Sequence, residues 1–314
     1  MDKPDLLMIG PMIRPVMDAL DAAFAVHRLW QAEDREALVA GVGHRVRAVA
    51  TNGHLGCPVA LMDRLPALEI IASYGVGYDA IDIAAARARG VRVTNTPDVL
   101  NDAVAELTLA LMLALCRRIV PADRYVREGR WEGFGSFPLT GELTGRTVGI
   151  LGLGRIGKEI ARRCQAFRMQ VVYHGRTRQP HEPYPYFADL VEMARASDWL
   201  VAIAPGSEQT RRIVNRAVLE ALGPDGALVN VGRGSLVDEA ALVDCLRDGR
   251  LGGAALDVFE AEPHVPPELF AMDNVVLSPH QGSATHKTRA AMGDLVVRNL
   301  AAHFAGLPLP TPVA

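Results

Sequence analysis

The sequence predicts an α/β protein built from two doubly wound parallel-sheet domains. Short apolar runs alternate with helix-period stretches almost from end to end, and the alternation falls into two series. A length of 314 residues leaves room for two separate cores. Strands covered by helices on both faces read as short continuous apolar runs, which is the pattern here. In the first series, residues 6–9, 47–50, 70–73 and 91–94 read as strands. The second begins at 147–151 and continues through 170–173, 200–203, 227–231 and 253–257, with helices at 155–167 and 238–247. A further strand is expected at 274–277.

Residues 101–119 are rich in Ala and Leu, with acids at the start and Arg117 and Arg118 near the end. That distribution suits the helix dipole and predicts a long buried helix joining the domains, either as core packing or as a dimer interface. Residues 284–304 predict a last helix, which returns to cover the first domain. The domains are therefore drawn as a discontinuous substrate-binding domain, 1–98 with 286–314, and a dinucleotide-binding domain, 99–285.

Nearly half the residues are hydrophobic, 22% are charged and the formal net charge is −3. Basic residues are scattered, so neither nucleic acid nor an anionic membrane is an expected partner. Cys57, Cys116, Cys164 and Cys245 stand far apart, without the spacing of a zinc site, and no metal is expected. The opening Met-Asp-Lys-Pro-Asp lacks the pattern of a signal peptide, and the apolar stretch 107–116 is too short to span a bilayer. A cytoplasmic location is expected.

Gly152-Leu153-Gly154-Arg155-Ile156-Gly157 follows a predicted strand and opens a predicted helix. This glycine pattern in that context is a dinucleotide fingerprint. Gly152 permits the tight turn, Gly154 lets a pyrophosphate approach the backbone, and Gly157 lets helix and strand pack closely. The helix N-terminus offers unpaired N–H groups and partial positive charge to the phosphates. After the next strand, NAD-specific folds carry an acid that binds the ribose 2′-hydroxyl. Here the segment reads His174-Gly175-Arg176-Thr177-Arg178. No acid repels a 2′-phosphate there; Arg176 can pair with it bidentately and Thr177 can donate a hydrogen bond. NADP(H) is the expected cofactor, with NAD(H) accepted at lower affinity.

Hydride transfer with such a cofactor also needs a substrate anchor and a proton donor or acceptor. Arg233 follows the strand 227–231, at the strand end where α/β sheets bind ligands. Its planar fork suits a carboxylate and an adjacent carbonyl oxygen, and the flanking Gly232 and Gly234 allow close approach. His280 follows the strand 274–277. An isolated His is more often structural than catalytic, and eight others occur in the chain. Glu262 is a candidate partner, because a carboxylate bonded to imidazole fixes its tautomer and favours the protonated form. Residue spacing alone leaves that pairing open.

These motifs closely resemble the D-isomer-specific 2-hydroxyacid dehydrogenase family, especially its NADPH-dependent glyoxylate/hydroxypyruvate reductases and the related hydroxyphenylpyruvate reductases. The stretches that carry the likeness are Ser73–Asp79, Asn95–Leu100, Gly152–Gly157, Val231–Gly234, Leu256–Pro263 and Pro279–Thr285. The resemblance implies a Rossmann NAD(P)-binding domain and a flavodoxin-like substrate domain, with the active site in the cleft. It implies Arg233, Glu262 and His280 as the catalytic three, with His280 as acid/base. It implies a substrate carboxylate on the Val76 and Gly77 amides, with Asn52 and Gly53 also near the substrate. Leu153, Arg155, Ile156, Gly175, Arg176, Thr177, Val231 and Gly282 then fall where relatives hold the cofactor, and Asp257 where the nicotinamide carboxamide is fixed. Trp131 resembles a tryptophan that reaches a neighbouring subunit's site in some relatives, and a homodimer is implied.

The sequence departs from the commoner family pattern at Gln281 and in the Pro-rich loop 181–186, which bears on cofactor preference and substrate fit. The implied activity is reduction of small 2-keto acids to D-2-hydroxy acids. The competing readings are a phosphoglycerate dehydrogenase-like NAD enzyme and a nucleotide-sensing, corepressor-like interaction protein. The first is disfavoured by the missing acid after Tyr173, the second by the lack of long disordered extensions.

Overall fold

The computed structural model describes residues 3–313 and divides into two compact units. Residues up to Leu100 and from Ser283 onward form one; Asn101–Gly282 form the other. Met1, Asp2 and Ala314, which the sequence assigns to the substrate-binding domain, lie outside the described residues.

The first unit runs β1 (Asp5–Met8), α1 (Arg14–Ala23), β2 (Ala25–Arg28), α2 (Arg35–Val42), β3 (Val46–Thr51), α3 (Val59–Met62), β4 (Ile70–Ser73), α4 (Ile83–Ala88) and β5 (Arg92–Thr94). All five strands pair in parallel, in the order β2-β1-β3-β4-β5. Leu6, Leu7 and Met8 on β1 are fully buried, as expected of a strand covered on both faces. The sequence reading missed β2. It is an edge strand whose residues are all half-buried, and its His27 and Arg28 engage Asp5 and Asp21. An edge strand with polar contacts shows no continuous apolar run.

The second unit opens with three helices, α5 (Asn101–Cys116), α6 (Ile119–Arg127) and α7 (Arg130–Phe134). It continues through β6 (Thr147–Leu151), α8 (Arg155–Ala166), β7 (Gln170–His174), α9 (Leu190–Arg195), β8 (Trp199–Ala202), α10 (Arg216–Leu222), β9 (Ala227–Asn230), α11 (Glu239–Arg247), β10 (Gly253–Leu256) and β11 (Val275–Leu277). Its parallel sheet has the order β11-β10-β9-β8-β6-β7. At the free edge of β7, Tyr173 forms a parallel bridge with Tyr186, the rudiment of one more strand. The strand order reverses at β6, and the ends of strands at such a switch point are where doubly wound sheets bind nucleotides.

The helix expected over 101–119 is shorter than predicted. It ends at Cys116, because Arg118 takes a left-handed conformation (φ 50°) and Ile119 starts a new helix. Each predicted strand agrees with an observed one to within one residue at either end. The last helix, α12 (His286–Phe304), belongs to the first unit and packs on α1 and β4. The Thr285 hydroxyl caps it by accepting from the Thr288 N–H at 3.1 Å, an interaction worth about 1 kcal/mol. Among the described residues no helix is long and apolar enough to cross a membrane.

Candidate active site

The glycine loop turns sharply off the end of β6. Gly152 has φ +103°, which only glycine adopts readily, and a Cβ there would lie 2.8 Å from the Ala204 backbone. Gly152 N–H donates to the His174 carbonyl on the neighbouring β7, fixing the loop to the sheet. Gly154 then takes the N-cap position of α8 and brings no side-chain acceptor to the helix N-terminus, a place suited to an anion. Leu153 is buried beneath the loop, Ile156 is half-buried, Gly157 is buried, and Arg155 is exposed. Gly175 lies beyond the end of β7, where Arg176 and Thr177 are exposed. The Gln179 amide donates to the Leu153 carbonyl at 2.7 Å, and its backbone N–H donates to the Tyr173 hydroxyl at 2.7 Å. These bonds tie the segment bearing Arg176 to the glycine loop. A glycine turn, a helix N-terminus without a side-chain cap and a basic, acid-free strand end fit a phosphorylated dinucleotide.

Arg233 stands on a turn built by Asn230 at the end of β9. The buried Asn230 side chain donates to the Arg233 carbonyl at 2.9 Å and accepts from the Gly232 N–H at 3.2 Å. Val231 is buried, and its N–H bonds to the Ala202 carbonyl on β8. Gly234 packs directly on the Phe259–Glu260 peptide, which a Cβ at this position would overlap. The Arg233 turn and the segment carrying Glu262 therefore touch backbone to backbone.

Glu262 and His280 meet. His280 Nδ1–H donates to Glu262 Oε2 at 2.7 Å, while Glu262 Oε1 accepts from the Phe259 N–H at 3.1 Å. The pairing leaves Nε2 as the nitrogen that can exchange a proton. His280 itself adopts a left-handed backbone (φ 50°), a conformation that costs a non-glycine residue about 1–2 kcal/mol. Glu239 supports the same segment by accepting from the Glu260 N–H at 2.7 Å, and Glu260 pairs with Arg211 and Arg212. Burial holds the Glu239 carboxyl above its ordinary range, with the charges of Glu260 and Glu262 adding to the effect and the Glu260 amide opposing it.

Asp257 keeps the strained histidine in place. Its carboxylate, 1% exposed, accepts from the Ser278 hydroxyl at 2.6 Å, the Gln281 N–H at 2.8 Å and the Gly282 N–H at 2.9 Å. Its carbonyl accepts from the His280 N–H at 2.8 Å. Four bonds thus pin the 278–282 turn, and both carboxylate oxygens take part. Sequence reasoning missed Asn230, Glu239 and Ser278 altogether. For Asn230 and Ser278 the only signal was their position at strand ends; Glu239, the first residue of α11, carried none.

The substrate residues named from the sequence lie in two adjoining loops of the first unit. Gly53 packs on Gly77 so closely that a methyl group on Gly53 would overlap the Gly77 carbonyl. Asn52 Oδ1 accepts from the His54 and Leu55 N–H groups at 3.0 and 2.8 Å, closing the turn after β3. Val76 and Gly77, both half-buried, follow β4, and among the described residues their N–H groups meet no protein acceptor. Consecutive unpaired amides of this kind make an anion-binding concavity. Among the described residues no group of three or more His, Cys, Asp or Glu side chains is arranged to hold a metal ion.

Comparison with known proteins agrees with this geometry. Residues 109–282 match the family described as D-isomer specific 2-hydroxyacid dehydrogenase, NAD binding domain. The chain is 49% identical over 313 residues to glyoxylate/hydroxypyruvate reductase A of Arabidopsis thaliana, with all of both chains covered. It is equally similar, 49% over 313 residues and all of both chains, to hydroxyphenylpyruvate reductase of Plectranthus scutellarioides. Among solved structures, it superposes with a TM-score of 0.94 on the NADPH-dependent glyoxylate/hydroxypyruvate reductase of Sinorhizobium meliloti in complex with NADP and malonate. That pair is 47% identical, covering 100% of this chain and 97% of the other. A glycine loop at the switch point of a parallel sheet, a histidine–glutamate pair and relatives matched along their whole length have one common explanation: the chain belongs to the D-isomer specific 2-hydroxyacid dehydrogenase family.

Proposed function

We propose that the protein reduces small 2-keto acids, glyoxylate and hydroxypyruvate among them, to D-2-hydroxy acids with NADPH as the preferred donor. The observation that carries this reading is the 2.7 Å bond from His280 Nδ1 to Glu262, which occupies one ring nitrogen and supports proton transfer by the other. Nicotinamide, when bound, supplies the hydride. His280 Nε2 gives its proton to the substrate oxygen, and Glu262 stabilises the imidazolium before the transfer. Arg233 offers its fork to the carbonyl oxygen, on which negative charge builds. The first unit contributes the unpaired Val76 and Gly77 amides, which receive the substrate carboxylate. Gly152–Gly157 and the helix behind it receive the pyrophosphate, and Arg176 with Thr177 the ribose phosphate. Asp257 and Gly282 hold the His280 turn and take part in binding the cofactor, Asp257 at the nicotinamide carboxamide. Relatives named as reductases support this reading over a phosphoglycerate dehydrogenase-like enzyme or a corepressor-like protein.

The test is a panel of 2-keto acids followed by NADPH oxidation and repeated with NADH. Turnover of glyoxylate and hydroxypyruvate with NADPH is expected, and its absence for every keto acid would overturn the assignment. In the same assay Arg176→Ala should raise the KM for NADPH by about 10–100-fold, the loss of a charge-assisted contact of roughly 1.5–3 kcal/mol. The KM for NADH should barely move. An equal rise for both would remove Arg176 from the phosphate site.

The working species is a homodimer in this reading. Phe134 is 80% and Leu139 99% exposed, with Ile119, Val126 and Trp131 also uncovered nearby in the chain. This apolar set on α6, α7 and the following loop suits a second copy of the chain. It is a better interface than α5, whose Ala103, Ala105, Leu109 and Met112 are buried in their own unit. Sedimentation should give twice the chain mass of 33.8 kDa, and a monomer at micromolar concentration would refute the dimer. A cytoplasmic location accords with four unpaired cysteines, two of which, Cys57 and Cys164, burial pushes up to about 12. Recovery in an exported fraction would contradict it.

A further inference from the structure

Val76 and Gly77 can serve as an anion cradle only if their loop keeps its amides turned outward. Its fixed points come from elsewhere in the first unit. Asn95, immediately after β5, is 8% exposed, and its side-chain amide donates to the Val76 carbonyl at 2.8 Å. The next residue, Thr96, donates its backbone N–H to the Gly75 carbonyl at 2.9 Å. A peptide whose carbonyl is held inward presents the following N–H in a defined direction, because the peptide unit is planar.

Asn95 is in turn held by the segment that follows α12. The Thr311 hydroxyl donates to the Asn95 carbonyl at 2.6 Å, and Pro312 and Val313 pair with Thr94 and Val93 at the end of β5. Thr311 is itself clamped by Asn299, a fully buried residue of α12. The Asn299 amide donates to Thr311 Oγ1 at 2.8 Å, and its carbonyl oxygen accepts from the Thr311 N–H at 3.1 Å. Helix α12 reaches the other side of the loop too. Tyr74, just before Gly75, donates its hydroxyl to the Arg289 carbonyl at 2.7 Å, and the Arg289 guanidinium lies 5.6 Å from the Tyr74 ring centroid.

We infer that Asn95 and Thr311 are positioning residues for substrate binding: through the chain Asn299–Thr311–Asn95–Val76, α12 and the segment after it set the orientation of the carboxylate-binding amides. The inference rests on the reading that Val76 and Gly77 receive the substrate carboxylate. Buried polar networks of this kind specify one arrangement only while every member is satisfied. Asn95→Asp keeps the shape but replaces the donor facing the Val76 carbonyl with an acceptor. Thr311→Val keeps the shape and removes the hydroxyl; Thr311→Ser restores it.

Asn95→Asp and Thr311→Val should each raise the KM for glyoxylate by about tenfold, the effect of one lost buried hydrogen bond. Turnover at saturation should stay within about twofold, with the dissociation constant of NADPH unchanged, and Thr311→Ser should behave as the parent enzyme. A KM at the parent value in both Asn95→Asp and Thr311→Val would overturn the inference. So would a loss shared by Thr311→Ser, or a fall in turnover without a rise in KM. Val76→Pro, which deletes one of the two amides, separates this from the reading beneath it. If Val76→Pro raises the KM and the other two variants do not, the positioning chain falls alone. If Val76→Pro leaves the KM unaltered in a protein that still binds NADPH, the carboxylate assignment falls and the inference falls with it.

Discussion

His280→Ala should fold normally, bind NADPH as before and turn over about 10²–10⁴ times more slowly, the usual contribution of a general acid. The side chain is about two-fifths exposed and its partner Glu262 keeps a second bond to the Phe259 N–H, so little of the fold depends on the imidazole. The left-handed backbone at residue 280 should tolerate the change, since Asp257 holds the turn through the backbone of residues 280–282 and the Ser278 hydroxyl. Steady-state kinetics with glyoxylate, beside a fluorescence titration of NADPH, measures both halves of the expectation. Near-parental turnover would mean that the proton comes from another group, and a lost NADPH affinity would mean that the histidine is structural.

Gly234→Ala should be the most damaging single methyl group in the second unit. The added carbon would overlap the Phe259 carbonyl and the Glu260 amide, both backbone, so relief requires the Arg233 turn and the Glu262 segment to move apart. Overpacking of this kind costs about 1–3 kcal/mol, roughly 2–12 °C in Tm for a unit of this size. The catalytic cost should be larger, because the displaced segment carries the partner of His280 while the displaced turn carries Arg233. A fall of more than about a hundredfold in kcat/KM is expected from a misplacement near 1 Å. Parental Tm and activity together would show that the two segments are not coupled as the packing suggests.

Much of the fold was legible because a parallel strand buried on both faces is a short apolar run, and such runs mark every central strand. The edge strand β2 was not legible, since half-buried positions such as His27 and Arg28 satisfy themselves with carboxylates and break the pattern. Nor was the end of α5. Arg117 and Arg118 are good helix formers, and the left-handed turn at Arg118 runs against that local preference. The glycine loop was fully visible, since its residue types are dictated by backbone geometry. The His280–Glu262 pair was not visible from spacing: eighteen residues separate them, and only family likeness joined them before the 2.7 Å bond did so by geometry. The residues that shape the turns, Asn230, Asp257 and Asn95, stand at strand ends, where a polar side chain signals a turn without revealing which backbone groups it will hold.

The discontinuity of the first unit has a consequence during synthesis. Its opening hundred residues leave the ribosome long before the helix that covers α1 and β4 exists. At about 5–20 residues per second the delay is on the order of ten to forty seconds. The contiguous stretch Asn101–Gly282 emerges whole within that interval. The last-made part of the chain therefore completes the first-made, and a nascent chain spends that time with one apolar face waiting for its cover.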